Sequence, residues 1–248
     1  MESSRKVIEL FYDVVSPYSW LGFEVMCRYR NVWNIDLKLR PAFLGGIMQG
    51  SGNKPPGLVP NKFLYMTTDL HRLAQYFQVP ISPPADPFEA MFEKGSLSAM
   101  RFVAAVQERE VGGDKQVEQV SRELWLRIWS QDKDITQPAS LSEAAMKAGL
   151  SASEVEELLK LSTSKEIKDK LKRSTQEALD HRCGSGHHHF FCYLTLSLFS
   201  LSQAFGFPLA VCHVNGKAEV FFGSDRFELI AHCIGEKWMG PQPAAAKL

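Results

Sequence analysis

Residues 6–15, KVIELFYDVV, alternate polar and apolar positions and then turn continuously apolar, as a strand entering a buried sheet does. The run stops at Ser16-Pro17, where Ser16 can cap a helix and Pro17 can fill its first position, since proline lacks only an N–H that would be unpaired there anyway. The segment after it carries an apolar helical stripe, and residues 35–44, IDLKLRPAFL, alternate again as a second strand. This opening β-α-β pattern implies a parallel pair joined by a crossover helix. Residues 46–60, GIMQGSGNKPPGLVP, read as a Gly/Pro-rich loop, and more than a hundred residues of helical periodicity follow. Trp125 and Trp129 fall one turn apart on one face and read as core. Ser151 with Glu154 and Thr163 with Glu166 have capping-box spacing, and Gly149 reads as a helix stop. Near the end, two strand patterns flank Asn215-Gly216, a strong short hairpin signal, and a last helix reads from Ser224 to about Gly235.

The order β-α-β, helices, β-β-α is an α/β, thioredoxin-like layout interrupted by an all-helical insertion. The boundaries that follow are 1–60 with 204–248 for the thioredoxin-like domain, 61–181 for the helical insertion domain, and 182–203 for an atypical inserted loop. At 248 residues the chain is long for one core and short for two full domains. Its 28 basic and 28 acidic side chains balance, so no polyanion is implied as partner and no nucleic acid is expected. Residues 1–6 carry no secretory pattern. Five cysteines without a C-x-x-C pair do not form a disulfide framework, which favours a reducing compartment. Residues 190–207 are rich in Phe and Leu, but Thr195, Ser197, Ser200, Ser202 and Gln203 interrupt them, and no membrane span is expected.

Chemistry is most legible at Ser16. A helix start exposes unpaired N–H groups and the positive end of the helix dipole, which favour an anion. The carboxyl end of a parallel strand is where open α/β sheets place ligands. Redox proteins of this layout carry C-x-x-C there, with an acidified first thiol. This chain has Ser16-Pro17-Tyr18-Ser19 instead, so it cannot form that disulfide, while its hydroxyl can donate to a thiolate supplied by a substrate. Taken singly, Ser16 is an N-cap, Ser224-Asp225 a helix start, Phe207-Pro208 a loop bond, and Asn53 a turn residue.

Together, LFYDVVSPYSWLGFE, GSGNKPPG, KGSLSAMRF, SRELWLRIWS, FGSDR and GEKWMGP closely resemble the kappa-class glutathione transferases, in order and over nearly the whole chain. That resemblance implies a homodimer, no tightly bound cofactor and no metal. It implies glutathione as co-substrate, conjugated to small electrophiles such as halogenated nitroaromatics, and peroxides as further substrates. It assigns the sulfur contact to Ser16, with Pro17 and Tyr18 lining it. It assigns the glutathione backbone to Asn53 and to Phe207, ahead of a cis Pro208. The γ-glutamyl end falls to Ser224 and Asp225, with Arg226 a weaker candidate beside them. The nearest alternative activity is a glutathione-dependent isomerase of the 2-hydroxychromene-2-carboxylate type.

The block at 182–203, RCGSGHHHFFCYLTLSLFSLSQ, departs from the family pattern. Its composition matches a translated intron end, which makes a glutathione-binding isoform inactivated by the insertion a further alternative. Cys183 with His187, His188 and His189 makes a poor zinc set, because adjacent histidines do not readily face one ion. The closing Ala246-Lys247-Leu248 resembles a peroxisomal tripeptide, and the family resemblance implies peroxisome, mitochondrion or both.

Overall fold

A computed structural model describes residues 5–109, 113–181 and 204–243. Four strands form one sheet: β1 (Lys6–Tyr12), β2 (Ile35–Pro41), β3 (Leu209–Val214) and β4 (Lys217–Phe222), in the order β2-β1-β3-β4. β1 runs parallel to β2, from Lys6 beside Ile35 to Tyr12 beside Pro41. It runs antiparallel to β3, which pairs antiparallel with β4. The β3–β4 turn is Asn215-Gly216, with φ of +51° and +77°. A two-residue hairpin needs that left-handed geometry twice, and this dipeptide supplies it cheaply. The thioredoxin-like order is therefore realised.

α1 (Pro17–Tyr29) joins β1 to β2. After β2 come α2 (Leu44–Ser51) and a 3₁₀ turn (Pro56–Leu58), then α3 (Pro60–Phe77) and a π-helical turn (Glu89–Lys94). The helical region continues through α4 (Leu97–Glu108), α5 (Gly113–Ser130), α6 (Pro138–Lys147), α7 (Ala152–Ser162) and α8 (Lys165–Asp180). α9 (Phe227–Ile234) follows β4. None of these helices is long and apolar enough to cross a membrane.

The alternation in β1 divides the core in two. Ile8, Leu10 and Tyr12 join one continuous buried cluster with Trp20, Phe23, Phe102, Val103 and Trp125, so the sheet and the helices share an interior. Phe11 belongs to a smaller cluster on the opposite face, with Ile47, Leu179, Phe207 and Val211. The GEKWMGP segment seals the end of α1: Trp238 stacks on Tyr29 and Phe227, and the Tyr29 hydroxyl donates to Gly240 O at 2.7 Å.

Four boundaries differ from the sequence reading. β1 ends at Tyr12, because Asp13 to Ser16 form a turn closed by Ser16 N donating to Asp13 O at 3.0 Å. β2 ends at Pro41, and residues 44–51, read partly as strand and partly as loop, are the helix α2. Its glycines are contact glycines: a Cβ on Gly46 would lie 2.9 Å from Thr175 Cγ2, and one on Gly50 would lie 2.7 Å from Leu179 Cδ1. Ser151 and Glu154 form the expected capping box, but the next helix is capped by Ser164, which accepts from Ile167 N, and not by Thr163. α9 starts at Phe227 with Arg226 as its cap, so Ser224 and Asp225 lie in the preceding turn. The zinc set at 183–189, the 182–203 block and the C-terminal tripeptide lie outside the described residues.

Candidate functional site

Ser16 is the N-cap of α1, and its Oγ accepts from Ser19 N at 3.1 Å. The same hydroxyl donates to the carbonyl of Phe207 at 3.5 Å. Hydroxyl hydrogen bonds cluster at about 2.7–2.8 Å, so this one is long and weak. Little is lost when the hydroxyl turns to a better acceptor, while Ser19 N–H keeps polarising its oxygen. Pro17 occupies the first helical position and Ser16 is only 4% exposed, so the donor points from a nearly dry, electropositive helix start.

The Phe207-Pro208 bond is cis. Pro208 packs on α1 at Gly22, where an added Cβ would lie 3.0 Å from Pro208 Cγ, 3.2 Å from Pro208 Cβ and 4.0 Å from Ser224 Cβ. Gly223 N donates to Pro208 O at 3.0 Å. Ser16, Phe207 and Ser224 are thereby gathered around one seam, with Ser224 buried in it. A valine at Gly22 would force that seam apart. Gly22→Val is expected to destabilise the fold by about 1–3 kcal/mol, the usual cost of overpacking, and to lower the affinity for any ligand seated at that seam more than the remote Ser151→Ala does. Thermal melts with binding titrations check this.

Asn53 follows the α2 C-cap Gly52 and spans to the same strand entry, its Nδ2 donating to Phe205 O at 2.6 Å. Asp225 sits exposed at the rim, paired with Arg226 at 2.8 Å. Tyr18 donates through its hydroxyl to Asp69 at 3.0 Å, and burial with that partner raises its pKa. It lines a cavity of ≈340 Å³ with Pro56, Asn61, Lys62, Tyr65 and Met66. Of the site residues read from the sequence, Ser16, Phe207 and Ser224 meet at this seam, Asn53 reaches the chain just before it at Phe205, Tyr18 bonds Asp69, and Asp225 is exposed beside Arg226.

Sequence reasoning missed the groups that hold the Ser16 loop. Trp125 Nε1 donates to Ser16 O at 3.1 Å, and Trp129 Nε1 donates to Val15 O at 3.2 Å. Their one-turn spacing signalled a shared face, but the polar edge of each indole gave no sign of its target. Asp13 is fully buried, and its carboxylate accepts from Val15 N, Leu44 N and Ser96 Oγ. In the sequence Asp13 falls inside the strand pattern 6–15, with nothing to mark it as a buried acceptor.

Burial pushes the Asp13 carboxyl up to about 6, against the three hydrogen bonds, which lower it. Because its folded value lies above the ordinary 3.8, the folded chain holds this proton more tightly than the unfolded chain. The associated stabilisation is fully present below 3.8 and is lost as pH rises through about 6. Asp13→Asn does not titrate, so the variant's stability relative to the parent should rise by about 3 kcal/mol from well below 3.8 to well above about 6. Urea unfolding at both ends of that window measures the change.

Among the described residues, no group of three or more His, Cys, Asp or Glu side chains is placed to hold a metal ion. Cys27 and Cys212 are buried, and burial raises both thiols.

Residues 7–183 match the DSBA-like thioredoxin domain family. The chain is similar to glutathione S-transferase kappa 1 of Homo sapiens, 50% identical over 240 residues, covering 97% of this chain and 96% of that one. It is similar to glutathione S-transferase kappa 1 of Rattus norvegicus, 47% identical over 243 residues, with 98% and 97% covered. Its fold resembles a solved 2-hydroxychromene-2-carboxylate isomerase, with TM-score 0.64, 18% identity, and 92% and 94% of the two chains covered.

Proposed function

Because the chain belongs to the kappa class of glutathione transferases, within the DSBA-like thioredoxin-domain family, we propose that it activates glutathione through the Ser16 hydroxyl and conjugates it to small electrophiles. The observation that carries this reading is the weakly engaged Ser16 donor at the start of α1, facing the carbonyl of Phe207.

A free thiol has a pKa near 8.5, so a fall of ~2 units takes about 2.7 kcal/mol of preferential binding of the anion. One hydrogen bond to a charged group supplies about 1.5–3 kcal/mol, and a helix start supplies about 0.3–1 kcal/mol more. Ser16 turns from Phe207 O to the sulfur, and the proton of the thiol leaves to solvent. Phe207, freed of that contact, offers backbone groups to the cysteinyl part of the tripeptide. Asn53 bonds the tripeptide backbone. The Ser224 hydroxyl bonds the γ-glutamyl carboxylate, and the Asp225 carboxylate pairs with the α-ammonium. The thiolate attacks the electrophile, the carbon–sulfur bond forms, and a halide departs with its electron pair. Catalysis lies in preparing and orienting the nucleophile, not in a residue that breaks bonds. The Tyr18, Tyr65 and Met66 wall, with Lys62 beside it, suits an aromatic electrophile carrying electron-withdrawing groups. We further read the working unit as a homodimer, checked by sedimentation, and the C-terminal tripeptide as a peroxisomal address, checked by masking it.

Conjugation of glutathione to a chloro-dinitrobenzene tests the reading, with 2-hydroxychromene-2-carboxylate isomerisation measured in parallel. We expect conjugation in the full chain, or in a version with 182–203 reduced to one glycine. Isomerisation without conjugation in either version would overturn the transferase reading.

A further inference from the structure

We propose that Asp13 is a positioning residue for Ser16, tying the turn that carries it to both neighbouring segments and so aiming its hydroxyl. The inference rests on the thiolate-activating role of Ser16 given above.

The turn from Asp13 to Ser16 lies between a strand and a helix, outside either ladder, so its geometry depends on bonds from elsewhere. Those bonds come from two sides. Trp125 and Trp129 donate to the carbonyls of Ser16 and Val15, and Val14 N donates to Met100 Sδ at 3.4 Å. On the other side stands one carboxylate. Asp13 Oδ1 takes Val15 N at 3.0 Å, while Oδ2 takes Leu44 N at 2.8 Å and Ser96 Oγ at 2.9 Å. A single side chain thus joins the Ser16 turn, the first residue of α2 and the cap of α4. The far end of α2 leads to Asn53, so the same carboxylate indirectly frames a second proposed glutathione contact.

The identity of the group matters. A carboxylate offers only acceptors, and three donors face it. Two of the donors are backbone N–H groups that cannot reverse, whereas the Ser96 hydroxyl can. A protonated aspartate can donate to the reversed Ser96 hydroxyl and keep both backbone ties, but an asparagine must turn its NH2 toward Val15 N–H or toward Leu44 N–H, and either outcome releases one backbone tie. The groups that bond the Asp13 carboxylate are these three donors, and among the described residues no charged side chain shares in setting its protonation. A buried carboxylate held by neutral donors alone is a costly way to fill space, and this one bridges three segments beside the donor hydroxyl.

The test titrates the thiol of bound glutathione by its ultraviolet thiolate absorbance, in the full chain and in Asp13→Asn. The dissociation constant of S-hexylglutathione, which has no ionisable thiol, is measured beside it. We expect Asp13→Asn to raise the bound thiol pKa by about one unit and to lower kcat about tenfold, the size of one weakened hydrogen bond to a charged group. S-hexylglutathione affinity should change by less than about threefold, since the rest of the contact surface is untouched. An unchanged thiol pKa would assign Asp13 to stability alone and overturn the proposal. A lowered one would also overturn it, since Asp13 would then act as a charge opposing the thiolate. Should Asp13→Asn not fold, Ser96→Ala keeps the carboxylate and both backbone ties, and it must still raise the thiol pKa, though less. An unmodified chain that binds glutathione without forming thiolate at neutral pH would sink the activation reading itself, and the inference with it.

Discussion

Replacing Ser16 by alanine is expected to raise the thiol pKa of bound glutathione by about 1–2 units and to cut conjugation about 10- to 100-fold, the value of one hydrogen bond to an anion. The loss should be incomplete, because the start of α1 survives the change and its dipole still favours a thiolate. Alanine also removes the N-cap, since Ser16 Oγ accepts from Ser19 N, and that costs about 1 kcal/mol of stability. Two further variants separate capping from catalysis. Ser16→Asp restores the cap acceptor but places a carboxylate against the sulfur, so stability should recover while activity falls below that of the alanine variant. Ser16→Thr keeps both acceptor and donor, and should retain most of the activity if its methyl fits beside Phe207. Rates that follow stability across the three variants would refute the assignment of Ser16 as thiolate donor. Rates that follow the hydroxyl would support it.

How much of this was legible in the chain depends on which physics each residue obeys. The junction at Ser16-Pro17, the Asn215-Gly216 hairpin and the tryptophan face are local matters, set by backbone torsions and side-chain period, and the structure agrees with each. The helix α2 was hidden because its glycines argue for a loop by propensity. They are there for contact with Thr175 and Leu179, which are distant in sequence. Ser224-Asp225 has the composition of a helix start, yet Ser224 is drawn into the seam with Gly22 and Pro208, and the helix waits until Phe227. Thr163 lost the capping position to its neighbour Ser164, a difference of one residue that pattern reading does not resolve. Asp13 was illegible because nothing local announces a buried carboxylate. Its three donors come from its own turn and from residues 31 and 83 positions away.

Trp125 should show the largest effect on stability, and it separates packing from positioning. The side chain is fully buried, stacks on Trp20 at 6.1 Å between centroids, and meets the edge of Phe23 at 4.9 Å. Trp125→Ala removes that whole payload from the joint between sheet and helices, and about 3–5 kcal/mol should be lost. Against a total of about 5–15 kcal/mol for a native protein, this is enough to make the chain marginal. In urea the midpoint should fall by about 1–3 M for ordinary slopes. Trp125→Phe leaves most of the apolar volume and removes the N–H that meets Ser16 O. That carbonyl also accepts from Trp20 N at 3.2 Å, so it is not orphaned, and the cost should be about 1–2 kcal/mol. Trp129→Phe likewise withdraws the indole donor from Val15 O. If the two indoles only fill space, both phenylalanine variants will keep the bound thiol pKa of the parent and lose activity only where they unfold. If they hold the Ser16 turn, thiol pKa and kcat will shift at temperatures where both variants remain folded.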